Sequence, residues 1–282
     1  MDLAERLVVA LTVEVVEELV GGYQSRVFRV TGRNGVAVAK VLHASMVDRA
    51  ELDIRLDVTA ALADLDPRVC RPFLIDGQRI TELTLGDDQQ QYVVCHEFAS
   101  GTVPDPASAA DAARLGAALS NLHESMSQLP AFPLPVVSAL RSVPVDEAIG
   151  GGAHQLLHGD FNASNLRLAG GVVRIFDLDD CGYGPPVFDV ANALYMVLFD
   201  AVTQGTAETY ETFRRSFVAG YVGASGPSLP EDSLDRFIDL RVRALGSWLD
   251  DLDNAPIGIR NASHAWQATL RSFVAGYQPT TR

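Results

Sequence analysis

The run His158-Gly159-Asp160-Phe161-Asn162-Ala163-Ser164-Asn165-Leu166-Arg167, followed shortly by Ile175-Phe176-Asp177, places an aspartate, an amide and a second carboxylate within one short stretch. Transfer of a phosphoryl group from ATP to a hydroxyl asks for such a set. It needs an Asp near the acceptor hydroxyl, an amide oxygen on one Mg2+, and a carboxylate bridging the metals beside the β- and γ-phosphates. Asp160, Asn165 and Asp177 fit those roles in that order. An Asp shortly before an Asn is common by chance. The strand-like Val172 to Phe176 leading into Asp177 is what gives the spacing weight.

The neighbours of this trio read differently. His158 is expected to pack beneath the loop and hold its shape rather than to act as a base. Asp179 is placed against a metal, the substrate or solvent, and Asp189, before an apolar helix, either caps that helix or braces the loop through backbone hydrogen bonds. Upstream, Lys40 shares a strand face with Val36, Val38 and Leu42. An ammonium on an apolar face is costly unless an anion meets it, and an ATP phosphate is the natural partner. Glu51, Asp53 and Asp57 are the candidates to orient Lys40, with Asp57 preferred. Gly21, Gly22 and Ser25 could lay backbone amides over phosphates, although a full GxGxxG is lacking and a helix-stop turn is the plain alternative.

These residues need a scaffold. The first twenty residues, with Leu7, Val8, Leu11, Val15 and Leu19 near helical spacing, predict an amphipathic helix ending at Gly21-Gly22. Val27 to Thr31 and Val36 to Leu42 predict a hairpin turned by Gly32-Arg33-Asn34-Gly35. Asp48 to Leu65 reads as a helix, and short strands follow near Phe73 to Ile75, Gln78 to Leu85 and Gln91 to Phe98. Ser100-Gly101, Pro104 and Pro106 mark a lobe boundary. Beyond it, Leu115, Leu119, Leu122 and Met126 share one face of a long helix. Pro130 to Pro144 and Gly150-Gly151-Gly152 form a loop-rich connection to a short strand at Gln155 to Leu157, and from Val187 to Tyr277 the pattern is helix after helix. The expected fold is α+β and bilobal: residues 1–99 a small, mostly β lobe with one crossing helix and a hinge near 95–99, residues 100–282 a larger, mainly helical lobe.

Composition narrows the partners. The 282 residues are 48% hydrophobic and 21% charged, ordinary for a globular chain with a sizeable core. The formal net charge of −14 argues against a nucleic-acid partner, whose phosphates call for Lys and Arg, and permits a cationic small substrate. Cys70, Cys95 and Cys181 form no close pair, which suits a reduced cytoplasm. Neither an export signal nor a membrane-spanning run is evident, and a monomer is expected. Between Glu231 and Asp253, seven acids face Arg236, Arg241 and Arg243, with Trp248 beside Asp250, Asp251 and Asp253. That stretch is either a cation pocket or a solvated helix face with ordinary pairs.

The segment 158–165 resembles the HGDxxxxN catalytic loop of the aminoglycoside phosphotransferase-like kinases, and Ile175 to Ala191 resembles their metal-binding segment. Leu115 to His123 is similar to the helix entering their substrate lobe, and His96 to Gly101 sits where their hinge would be. The resemblance runs from about Leu19 to Leu198. It implies a bilobal kinase fold using ATP (or GTP) and Mg2+, with adenine against hinge backbone at Cys95, Glu97 and Phe98. It further implies Lys40 on the α- and β-phosphates, Asn165 and Asp177 on Mg2+, and Asp160 at the acceptor hydroxyl. The expected acceptor is a small cationic molecule, an aminoglycoside or a capreomycin- or viomycin-type peptide, with Trp248 and the tail acids as its pocket. Choline, homoserine, hydroxylysine and sugars are the alternative acceptors. A protein kinase and a nucleotide-binding pseudokinase are lesser ones.

Overall fold

In the computed structural model, residues 2–19, 25–32, 35–75, 77–85, 89–141, 154–223, 229 and 231–278 are described. The chain divides into two units, Met1–Ala99 and Ser100–Arg282.

The first unit opens with α1 (Leu3–Leu11), started by a capping box: Asp2 Oδ1 accepts the Glu5 N–H at 2.8 Å and Glu5 Oε2 accepts the Asp2 N–H at 2.9 Å. Thr12, in the left-handed region at φ 52°, ends the helix. The expected helix to Gly21-Gly22 is therefore corrected. Val15–Leu19 is a strand, β1, antiparallel to β2 (Arg26–Gly32). The spacing of Leu11, Val15 and Leu19 suits a helix, but Val15 and Val16 are β-branched and β2 offers backbone partners, so pairing overrides the local pattern.

β2 and β3 (Gly35–His43) form the predicted hairpin, with Gly32 opposite Gly35; Arg33 and Asn34 lie outside the described residues. β3 pairs with β6 (Gln89–Glu97), whose other edge carries β4 (Pro72–Phe73) and β5 (Thr81–Leu85), all antiparallel. Each face of this sheet has its own core. On one, Leu3 and Leu7 of α1 meet Phe28, Val30, Ala39, Val41, Val93 and Cys95. On the other, Leu52 and Leu56 of α2 (Arg49–Leu65) meet Leu42, Ile80 and Val94. The two helices expected in this lobe thus pack on the sheet, one on each face.

In the second unit, α3 (Ala109–Ser127) buries Leu115, Leu119, Leu122 and Met126 as its periodicity requires. After a short α4 (Ser138–Arg141), β7 (Gln155–Leu157) leads to β8 (Leu166–Ala169), β9 (Val172–Ile175) and β10 (Gly182–Gly184). β7 pairs with β10 and β8 with β9, both antiparallel. Helices α5 (Val187–Gln204), α6 (Ala207–Val222), α7 (Glu231–Asp250), α8 (Ile257–Arg260) and α9 (His264–Gly276) follow. Tyr195, Phe199, Val242, Leu245, Leu249, Leu270 and Phe273 join α5, α7 and α9 in one cluster. Pro144 and the Gly150-Gly151-Gly152 run lie outside the described residues. Among the described residues no helix is long and apolar enough to cross a membrane.

The backbones of α3 and α6 come unusually close at Gly116, where a Cβ would stand 2.0 Å from the Phe217 carbonyl oxygen. Gly116→Val should therefore destabilise the protein by about 1–3 kcal/mol through overpacking, read as a lower urea midpoint. An unchanged midpoint would mean that the two helices part without cost.

Candidate active site

Two small ladders present the motif. The loop 158–165 joins β7 to β8, and the turn 176–181 joins β9 to β10. Because Leu166 faces Ile175 and Leu157 faces Gly182, both segments leave their ladders side by side. The Phe176 N–H donates to the Asn165 carbonyl at 3.2 Å, and Gly159 passes so close to Asp180 that a Cβ would lie 2.0 Å from its carbonyl oxygen. Gly159 also has φ 84°, so both its space and its backbone conformation favour glycine.

Asp160 is held at both carboxylate oxygens. Asn192 Nδ2 donates to Oδ1 at 3.2 Å, and Asn165 Nδ2 donates to Oδ2 at 3.0 Å and to the Asp160 carbonyl at 2.9 Å. Burial pushes the Asp160 carboxyl above the usual carboxylate range. Arg241, His158 and Asn192 pull it down, and Asp177 adds to the rise. Asp177 itself sits at φ 68°, a left-handed conformation uncommon for a side chain other than glycine and typical of strained functional turns.

Asp189 braces the loop. Fully buried, it accepts the N–H of His158 at 2.8 Å on Oδ2 and that of Gly159 at 3.0 Å on Oδ1, while His123 Nε2 meets Oδ2 at 3.1 Å. His123 Nδ1 in turn meets the Tyr221 hydroxyl at 2.9 Å. Of the two roles open to Asp189, loop bracing is the one these bonds display; α5 starts at Pro186 with no side-chain cap. His158 is fully buried, with Nε2 3.2 Å from the Phe176 carbonyl and its ring edge-on to Phe161. This is the packing position expected of it.

Lys40 is buried on the α2 side of its sheet, opposite Val94 in the ladder. Asp57, preferred as its partner, forms an ion pair with Arg79, and Glu51 pairs with Arg55 at 2.6 Å. Ser25 precedes β2 and is half-buried; Gly22 lies outside the described residues. Cys95 points into the α1-side core, its thiol pushed up to about 12 by burial, and its backbone lies between Ala39 and Phe73 in the ladder. The Glu97 N–H donates to the Arg71 carbonyl at 2.9 Å rather than standing open to a ligand. Phe98 follows the strand, with the Arg29 guanidinium 5.2 Å from its ring centroid.

The tail acids Asp250, Asp251 and Asp253 are all exposed. Asp250, with its side chain 82% exposed, pairs with Arg271 at 3.3 Å, Asp251 accepts from Asn254 at 2.8 Å, and Asp253 is exposed. Asp179 is half-buried in the turn after Asp177.

Two residues complete the surroundings of Asp160 that the motif alone did not reveal. Asn192, fully buried, lies on α5, and the signal for it was an amide three positions after Asp189 in an otherwise apolar helix. Arg241, read in sequence only as one cation among the tail acids, lies against Trp248, Phe188 and Tyr195. The Tyr195 phenol is pushed up to about 12, chiefly by burial, with Arg241 pulling it down and Asp160 adding to the rise. Asn192→Ala leaves Asp160 Oδ1 without its donor, and kcat should fall roughly 10- to 100-fold through misplacement of the carboxylate, with nucleotide affinity unchanged. An unaltered kcat would remove Asn192 from the site.

The donor set fits magnesium. Asn165 turns its amide nitrogen toward Asp160, its Oδ1 has only a long contact of 3.5 Å from the Ser164 hydroxyl, and Asp177 is half-buried on the adjoining turn. Among the described residues there is no group of three His, Cys, Asp or Glu side chains able to hold a metal. Mg2+ does not ask for one, since it binds through one or two carboxylates together with phosphate oxygens and water.

The fold is the α+β architecture of the kinase-like phosphotransferases. Residues 128–228 match the phosphotransferase enzyme family, and this span contains Asp160, Asn165, Asp177, Asp189 and Asn192. The whole chain is similar to amicoumacin kinase hAmiN, solved with AMP-PNP, Ca2+ and Ami, at 19% identity, 100% coverage of this chain and 95% of that one, and a TM-score of 0.75. It is also similar to a microcompartment-associated aminopropanol kinase, at 21% identity over 97% of this chain and 94% of that one, with a TM-score of 0.71. The aminoglycoside phosphotransferase APH(3'')-Id of Streptomyces rimosus follows at 18% identity, covering 85% and 97%, with a TM-score of 0.51. No curated protein sequence matches the chain.

Proposed function

We propose that this chain transfers the γ-phosphoryl group of ATP, or of GTP, to a hydroxyl of a small molecule. The observation that carries the reading is the two-sided hold on Asp160, with Asn165 on one carboxylate oxygen and Asn192 on the other. An acceptor hydroxyl donating to that carboxylate is oriented for in-line attack, and Asp160 takes its proton as the bond to phosphorus forms. Asn165 Oδ1 and Asp177 would hold Mg2+, which supplies neutralisation of the β- and γ-phosphate charge. Lys40 is assigned to the α- and β-phosphates, Ser25 to phosphate contact, and the backbone from Phe98 onward to the adenine edge. Positioning and charge supply most of the acceleration, and the protein needs no covalent intermediate. The reading carries with it a cytoplasmic monomer with neither a nucleic-acid nor a membrane partner.

The acceptor lies in the range from basic antibiotics, whose modification would confer resistance, to small hydroxylated metabolites. Exposure of Asp250, Asp251 and Asp253 takes away the local reason for a strongly basic acceptor and favours the metabolite side. The test is ADP release with Mg-ATP against aminoglycosides, capreomycin, viomycin, choline, amino alcohols, hydroxy amino acids and sugars, with Asp160→Ala as blank. Acceptor-dependent release by the native protein alone supports the reading. ATP binding without release across the panel would point to a pseudokinase.

The acid limb of kcat/KM provides a further check. Only ionised Asp160 accepts the hydroxyl proton, so activity is lost as pH falls through its folded-state pKa. Because burial raises that pKa, the limb should lie at higher pH than an ordinary aspartate would give. Arg241→Gln removes the strongest influence lowering it, and the limb should move to still higher pH in a kcat/KM profile measured from about pH 5 to 8. A limb that stays in place would mean that the Arg241 charge does not reach Asp160.

A further inference from the structure

Arg241 lowers the Asp160 carboxyl through its charge, but the phosphoryl-transfer reading gives its guanidinium no ligand to hold. Its guanidinium carbon stands 5.2 Å from the ring centroid of Tyr195, 5.6 Å from that of Phe188 and 5.7 Å from that of Trp248. Its Nε is buried with no hydrogen-bond partner among the described residues. It forms none of the ion pairs seen among them, although on the same helix Asp239 pairs with Arg243 and Asp235 with Arg214. Guanidinium tolerates aromatic walls because it is weakly hydrated and stacks, and its planar fork matches a carboxylate with two parallel N–H donors. A buried donor without an acceptor is unfavourable, so a group held this way is prepared for an oxyanion that arrives with a ligand.

The place of this group in the fold says which ligand. Phe188, Asn192 and Tyr195 occupy successive turns on one face of α5, so the face that fastens Asp160 through Asn192 also walls Arg241. Asn192 Oδ1 is a second buried atom without a partner among the described residues. The arrangement provides a carboxylate for a hydroxyl and, on the next turn, a cation for an anion. We propose that Arg241 binds a carboxylate of the acceptor, so that the substrate phosphorylated here is a small hydroxy acid or hydroxy amino acid. The proposal rests on the kinase reading for the chemistry at the hydroxyl, and on Arg241 alone for the acid.

The test compares serine, threonine, homoserine and glycerate, each beside its counterpart lacking the carboxylate: ethanolamine, 1-aminopropan-2-ol, 3-aminopropan-1-ol and ethylene glycol. Binding is read from Trp248 fluorescence in Trp266→Phe protein, and turnover from ADP release at a pH above the acid limb. The native protein should favour at least one acid over its counterpart by roughly 10- to 100-fold in Kd and KM, the range for a charge-assisted pair. Arg241→Gln should erase that preference by raising KM for the acid and not for its counterpart, whatever common change in kcat follows from losing its charge near Asp160. Arg241→Lys, which keeps the charge and loses the fork, should fall between. Equal binding of acids and counterparts by the native protein overturns the proposal whether or not any variant folds. So does a loss confined to kcat for every acceptor, which would assign Arg241 to the phosphoryl group in flight. Acid-selective binding that depends on Arg241 without ADP release would defeat the kinase reading and leave the carboxylate site standing. ADP release from the counterparts alone would do the reverse.

Discussion

Asp160→Asn is expected to lower kcat by roughly two to four orders of magnitude, the range associated with a positioned general base, while ATP affinity stays near native. The substitution is nearly isosteric, so its effect isolates chemistry from shape. It removes the oxygen charge that accepts the hydroxyl proton, and it also turns an NH2 group toward a donor. Both oxygens of Asp160 already accept from amide nitrogens, Asn192 on Oδ1 and Asn165 on Oδ2. Whichever way the new amide is rotated, it presents a donor to a donor. Asn165 would then have reason to rotate, which disturbs the amide oxygen meant for Mg2+. Metal dependence of the residual rate is therefore part of the measurement, and a higher Mg2+ concentration for half-maximal rate is expected alongside the lost kcat. A variant retaining more than a tenth of the native kcat would show that Asp160 is not the base.

Asp189→Ala should cost about 3–5 kcal/mol of stability, the range for removing one partner from a buried charged network. The carboxylate is fully buried and accepts from the His158 and Gly159 N–H groups, with His123 Nε2 at 3.1 Å. Its removal leaves the loop amides without an acceptor in a dry interior and releases the turn on which Asp160 depends. Asp189→Asn should be destabilised as well, since an amide offers one acceptor oxygen where two are in use. Urea unfolding gives the comparison, and activity should fall with the loop even where the protein remains folded. A native urea midpoint in Asp189→Ala would mean that water replaces the carboxylate at little cost, contrary to its burial.

Much of the site was legible because it is local. Asp160, Asn165 and Asp177 fall within one stretch whose ladders pair neighbours in sequence, β8 with β9 across Gly170 and Gly171. The hairpin around Gly32 and Gly35 and the buried stripe of α3 are equally short-range, since turn geometry and helical periodicity are written into contiguous residues. Where two local readings competed, the sequence had no means to choose. Val15 to Leu19 fits a helix by spacing and a strand by β-branching, and the waiting edge of β2 made it a strand.

The sequence by itself determined that this protein carries a loop able to place an aspartate, an amide and a second carboxylate for phosphoryl transfer, because that chemistry needs residue types at short spacings. Tertiary structure alone decided their surroundings. It brought Asn192 to Asp160 from a later helix and set Arg241 among Phe188, Tyr195 and Trp248. It set Asp57 beside Arg79 and Asp250 beside Arg271. The reason is that a charge acts through whatever lies within a few ångströms of it and through how much water is left there. Both are properties of packing between segments far apart in the chain.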